Sequence, residues 1–201
     1  MSNSLNLVPD REISMMEEPL ARWQSNLARL ITHQNLDQFL HRYCQSVFDL
    51  GLEALGAHEG TIWTIDSEES YLLPIYNNGP DHERFVGGFQ QPLGEGMLSM
   101  VFASGQLLCE DQVYQSNKQH KKLDQELEKL TCTMIAAPLF FGGRLRGVIS
   151  AVKLKSRESP EDLDPKGFSG EDAESLGDLS QVIGRLIDHR LIELGFCGSD
   201  E

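Results

Sequence analysis

The sequence predicts an α+β fold (an α/β sandwich): one antiparallel sheet of five or six strands, flanking helices, and long helices at both ends. Two observations set the sheet. The polar turn Asp66 to Ser70 separates two β-branched and aromatic runs, and Gly142-Gly143 separates two strongly apolar ones. Both are hairpin signatures, and short connections of this kind join antiparallel strands. The third observation sets the helices. Apolar residues recur at three and four positions over residues 36–55 and again over 173–194, the period of a helix with one broad buried face.

Residues 1–18 are polar and irregular and read as a flexible segment. Pro19 suits the first turn of a helix over 19–34, in which Leu20, Trp23, Leu27 and Leu30 form a narrow apolar stripe. Asn35 caps a second helix, whose face is Leu36, Phe39, Leu40, Tyr43, Cys44, Val47, Phe48 and Leu55 and whose stop is Gly56. Strands follow at 61–65 and 71–76, with a third over 85–90 interrupted by Gly87-Gly88. The turn Pro92-Leu93-Gly94-Glu95-Gly96 leads into a short helix over 97–103, and an extended piece over 107–113 precedes a charged helix near 119–130. Core strands at 132–141 and 144–153 come next, then a polar loop over 156–167. The last helix opens with Ser169 as N-cap, acids in its first turn, and Phe168 placed to staple against Ala173. The main domain is expected over 35–194, with a tail at 195–201.

Composition narrows the function. The 201 residues carry a net charge of −14, and the basic cluster Lys118, Lys121, Lys122 runs straight into Asp124, Glu126 and Glu128. Such a surface repels phosphate backbones, so direct nucleic-acid binding is not expected. Eight carboxylates against the single Lys166 between Glu158 and Asp178 read as a solvated loop and helix start, or as a docking face for a basic partner. No apolar run reaches the roughly 18 to 20 residues that span a bilayer, and the start of the chain lacks a signal-peptide pattern. A cytoplasmic protein without a membrane partner is expected. Cys44, Cys109, Cys132 and Cys197 form no C-x-x-C pair, and the six histidines are dispersed. Reduced thiols and no metal site follow.

Four pieces in register resemble the GAF family over residues 35–192. They are Ala54-Leu55-Gly56-Ala57 with Gly60-Thr61-Ile62-Trp63; Pro92 to Met97 with Val101, Ser104-Gly105-Gln106 and Asp111; Ala136-Ala137-Pro138-Leu139 with Arg144 to Ile149; and Phe168-Ser169 with Asp172. The resemblance implies a sensory or regulatory domain without catalysis. It places a ligand over the sheet, roofed by the Gly94–Gly96 turn and the Met97 helix, with Asp111 and the loop after it on the rim. The candidate ligand-binding set is Leu93, Gly94, Gly96, Met97, Asp111 and Cys132. The glycines also have a purely structural reading, as points of sharp turning and close backbone approach.

The ligand and any cofactor stay unnamed. Cyclic-nucleotide-binding members show an Asn-Lys pair, a spaced Phe and Asp-Glu; here Asn117-Lys118 is followed by Leu123 and Asp124-Gln125-Glu126 at another spacing. Bilin-binding members pair Cys with an adjacent His, which no cysteine here has, and no His lies in the central segment to hold a haem. A reductase subgroup attacks free methionine sulfoxide with pocket cysteines, which makes Cys109 and Cys132 the residues to examine for an enzymatic alternative. A ligand-free interaction module is the third reading. Unmatched apolar faces on the terminal helices predict a parallel homodimer, signalling to a partner protein in trans.

Overall fold

The computed structural model describes residues 42–115, 129–156 and 163–197, together with Glu18, Arg22 and Leu40. Apart from Arg22, the expected helix over 19–34 lies outside the described residues, as do residues 35–39 and the segment 116–128 with Asn117-Lys118. Helix α1 (Arg42–Ala54) buries Cys44, Phe48 and Leu52 at successive four-residue steps. It ends in a Schellman motif: Ala57 N–H donates to Leu52 O (3.0 Å) and Gly56 N–H to Glu53 O (3.0 Å), with Gly56 at φ +60°.

Six strands form one antiparallel sheet in the order β3-β2-β1-β6-β5-β4. They are β1 (Glu59–Ile65), β2 (Tyr71–Asn77), β3 (Gln91–Pro92), β4 (Leu108–Asp111), β5 (Lys129–Phe141) and β6 (Arg144–Ser156). The β1–β2 turn is held by Asp66, whose Oδ1 accepts from Ser70 N–H (2.7 Å) and Tyr71 N–H (2.9 Å). The β5–β6 turn puts Gly142 and Gly143 at φ +59° and +70°, the paired left-handed conformation that a two-residue hairpin requires. Strand β6 is central, with β1 on one side and β5 on the other. At the β1–β6 crossing Gly147 lies against Trp63 O, where a Cβ has no room.

The sheet separates two cores. On one face α1 and the long helix α4 (Gly170–Cys197) pack Phe48, Leu52, Leu176, Ile183, Ile187 and Leu191 onto Ile62, Ile135, Leu139 and Ile149. On the other, helix α3 (Gly96–Ser104) packs Met97, Leu98 and Val101 onto Trp63, Met134, Ala136 and Val148. Helix α4 opens on a reciprocal capping box. Ser169 Oγ accepts from Asp172 N–H (3.1 Å), and the Asp172 carboxylate accepts from Ser169 N–H (2.7 Å).

Three expected elements need correction. Residues 85–90 are not a strand. Helix α2 (His82–Phe85) is followed by a turn in which Gly87 takes φ +84° and Phe89 N–H donates to Phe85 O (3.2 Å). This turn lays both Phe85 and Phe89 on Trp63. The edge strand comes later and is only two residues long. The extended piece over 107–113 is cut short by Gln112 at φ +58°, which diverts Val113 into a 3-10 turn, Val113–Gln115. The 119–130 helix cannot include Lys129 and Leu130, which pair with Ser156 and Lys155 as the start of β5; Ser156 thus belongs to β6, not to the loop.

Candidate functional site

The Gly94–Gly96 turn leads from the edge strand β3 into α3, on the face where Leu93 and Met97 pack. Its glycines take φ +92° and +76°, a conformation that strains L residues. Neighbouring polar groups fasten it. Leu93 N–H donates to Ser70 O (2.9 Å), Gln91 Nε2 to Glu95 O (2.8 Å), and Ser99 Oγ to Pro92 O (2.9 Å). Leu93, Gly94, Gly96 and Met97 are therefore brought together as a roof.

Under this roof lies packed side chain. Trp63 stands at the centre, edge-on to Phe85 (ring centroids 5.2 Å apart) and Phe89 (6.1 Å), with Met97, Val101, Met134 and Val148 buried in the same cluster. Its indole N–H donates to Ser150 Oγ (3.0 Å) in the buried interior. A second polar pair sits on the same side of β1: Asn77 Nδ2 donates to Thr61 Oγ1 (2.9 Å) and Gly60 O (3.1 Å). Sequence reasoning missed Phe85 and Phe89 as wall residues. Their i, i+4 spacing was the available signal, and a glycine pair between them masked it.

Asp111 and Cys132 belong to a different place. Asp111 ends β4 opposite Thr133, whose hydroxyl donates to its carboxylate (2.9 Å), and Gly167 lies against that carboxylate. Asp111 thus pins the loop before α4. Cys132 is the extra residue of a bulge between Thr131 and Thr133, buried, with its thiol beside Leu130 O (3.7 Å) and Asp164 Oδ1 (3.9 Å). Asp164 also receives Tyr114 OH (2.8 Å) and Lys155 Nζ (2.6 Å), and these bonds hold its carboxyl below the usual range. The cluster fastens the loop to β6.

Cys109 pairs with Ile135, and Ile135 belongs to the helix-side core, so Cys109 points to the face opposite Trp63 and Met97. Its thiol lies on the carbonyls of Phe168 (3.6 Å) and Ser169 (3.8 Å). Cys109 is exposed, yet partial burial first, then the charges of Asp111, Asp172 and Glu110, push its pKa up. A raised pKa disfavours the thiolate that attacks. Among the described residues no group of three or more His, Cys, Asp or Glu is placed to hold a metal ion. None of the described helices is long and apolar enough to cross a membrane.

A family model described as GAF domain matches residues 37–188. No curated protein sequence matches the chain. Among solved structures, the chain is similar to the GAF domain of a phosphoenolpyruvate-protein phosphotransferase from Coxiella burnetii. The TM-score is 0.59 at 16% identity, over 82% of this chain and 99% of that one. It is similar to a GAF domain/HD domain protein from Geobacter sulfurreducens (TM-score 0.58, 14% identity, 84% and 98% covered). It is also similar to a free methionine-R-sulfoxide reductase from Neisseria meningitidis in complex with its substrate (TM-score 0.58, 19% identity, 96% and 99% covered). At these identities the likeness shows the fold alone.

Proposed function

We propose, from the premise that this chain belongs to the GAF domain family, that it is a non-catalytic regulatory module reporting through a helix-mediated homodimer. The observation carrying this reading is an apolar stripe on the helical face. Tyr43 and Leu50, two turns apart on α1, are 73% and 65% exposed, and Val182 on α4 is 44% exposed. The helices bearing them touch: a Cβ on Gly51 would stand 2.5 Å from Leu179, one turn from Val182. Each Å² of apolar surface left in water forgoes about 25 cal/mol, and a two-fold axis would bury this stripe against its own copy. Sedimentation of the full chain tests it. A species near twice the 22.5 kDa chain mass is expected, reverting to monomer in a Leu50→Glu, Val182→Glu variant. A wild-type monomer at tens of micromolar would remove the reading.

The input side of the module is the roofed face. A small ligand would enter by displacing Phe85 and Phe89 from Trp63, and would then meet the Trp63–Ser150 pair. A cytoplasmic partner protein acting in trans is the output. The enzymatic alternative draws on the likeness to the Neisseria reductase. Against it stand Cys109 on the helix-side face, its raised pKa, and Cys132 buried beside Asp164. Turnover of free methionine sulfoxide that vanishes in a Cys109→Ser, Cys132→Ser variant would establish the alternative.

A further inference from the structure

Strand β4 pairs with β5 only as far as Ala136. Beyond it, the outer edge of β5 meets α4 at three points. Ser180 Oγ donates to Pro138 O (2.8 Å), Gly184 lies against Phe140 O so closely that a Cβ has no room, and Asp188 Oδ1 accepts from Gly142 N–H (2.6 Å). The helix residues are spaced by four and the strand residues by two. Four helical residues rise about 6 Å and two antiparallel strand residues about 6.8 Å, so the two repeats stay in step across three contacts. On the strand, Pro138 has no N–H to offer and Phe140 presents a carbonyl. The helix answers with a hydroxyl, a bare backbone and, at the turn, a carboxylate.

We propose that Ser180, Gly184 and Asp188 form a register clamp that fixes α4 to the β5–β6 hairpin. Sliding α4 by one residue shifts it about 1.5 Å and rotates it about 100°, which removes all three contacts together. The helix therefore cannot creep along the sheet. It moves only with the hairpin, and a tilt of β5–β6 is delivered to the carboxy-terminal end of α4. The clamp also covers a stretch of strand edge that would otherwise be open to pairing. It does not depend on the dimer, and its test reads neither oligomeric state nor ligand.

Hydrogen–deuterium exchange on the full chain tests the clamp. In a Ser180→Ala, Asp188→Ala variant, peptides covering 138–145 and 180–191 are expected to exchange at least ten-fold faster, while β1 and β2 keep wild-type protection. Asp188→Asn, which keeps an acceptor for Gly142, should retain near-wild-type exchange at 138–145. Gly184→Ala keeps both hydrogen-bonding side chains but drives the helix off Phe140. It serves if the double variant fails to fold, and should loosen the same two regions. Unchanged exchange in the variant, acceleration at the Gly142 turn alone, or uniform loosening that includes β1 would each overturn the clamp.

Discussion

Trp63 Nε1 donates to Ser150 Oγ at 3.0 Å, a buried polar contact beside the apolar cluster of Phe85, Phe89 and Met97. Burying an indole N–H is tolerable only when it finds an acceptor. Ser150→Ala removes the acceptor and leaves the donor, so a loss of about 1–3 kcal/mol in urea unfolding is expected. Unchanged stability would mean that the indole has another acceptor and that this pair does not organise the roofed face.

Two glycines should respond differently to the same substitution. Gly94 takes φ +92° with open space where a Cβ would stand, so Gly94→Ala should cost about 1–2 kcal/mol of backbone strain and still fold. Gly147 has no positive φ, but its Cβ would enter Trp63 O, a backbone atom between two central strands. Gly147→Ala should therefore give insoluble or largely unfolded protein. Thermal melts of the two variants decide the matter, and equal effects would remove the distinction between conformation and contact.

These cases show what the sequence made legible. Two hairpins and one helix start rest on features carried by neighbouring residues: Gly142-Gly143 for one hairpin, Asp66 for the other, Ser169 and Asp172 for the start of α4. All were readable, as were Gly94 and Gly96 as a turn into a short helix. What stayed hidden depended on residues far apart in the chain. Asp111 could be placed near a turn, but its attachment to Thr133 and Gly167 required the β4–β5 register. The opposite facing of Cys109 from Met97 required that register too. Phe85 and Phe89 were misread because a five-residue span fits both periods, and tertiary packing on Trp63 chose the helical one.

Cys109 offers a direct chemical check. The thiol is exposed, and partial burial first, with three carboxylates after it, pushes its pKa up. Alkylation by iodoacetamide at pH 7.5 should be slower at Cys109 than for a free cysteine in unfolded peptide, and should accelerate as pH rises past the ordinary thiol range. Mass mapping of the alkylated peptide reads it. Faster modification than the peptide control would revive Cys109 as a nucleophile and with it the reductase reading.

Asp188 gives the pH dependence. Burial pushes its carboxyl up from the ordinary value, and the Gly142 N–H opposes that only in part. A carboxyl with a folded pKa above its unfolded one favours the neutral form in the fold. Its contribution to stability is therefore fully present below the unfolded pKa and is lost as pH rises through the folded one. At neutral pH the protein holds a half-buried charge at a cost. Asp188→Asn keeps an oxygen for Gly142 without that charge, so it should match or exceed wild type at pH 7. Its advantage should shrink as pH falls through the carboxylate range, where wild type neutralises the same group. Asp188→Ala loses the acceptor and should cost about 1–3 kcal/mol at pH 7. Urea unfolding of the three proteins at pH 7 and near pH 4 separates the two effects. If Asp188→Asn were as damaging as Asp188→Ala at pH 7, the negative charge itself would be holding the turn, and the sign argued from burial would be wrong.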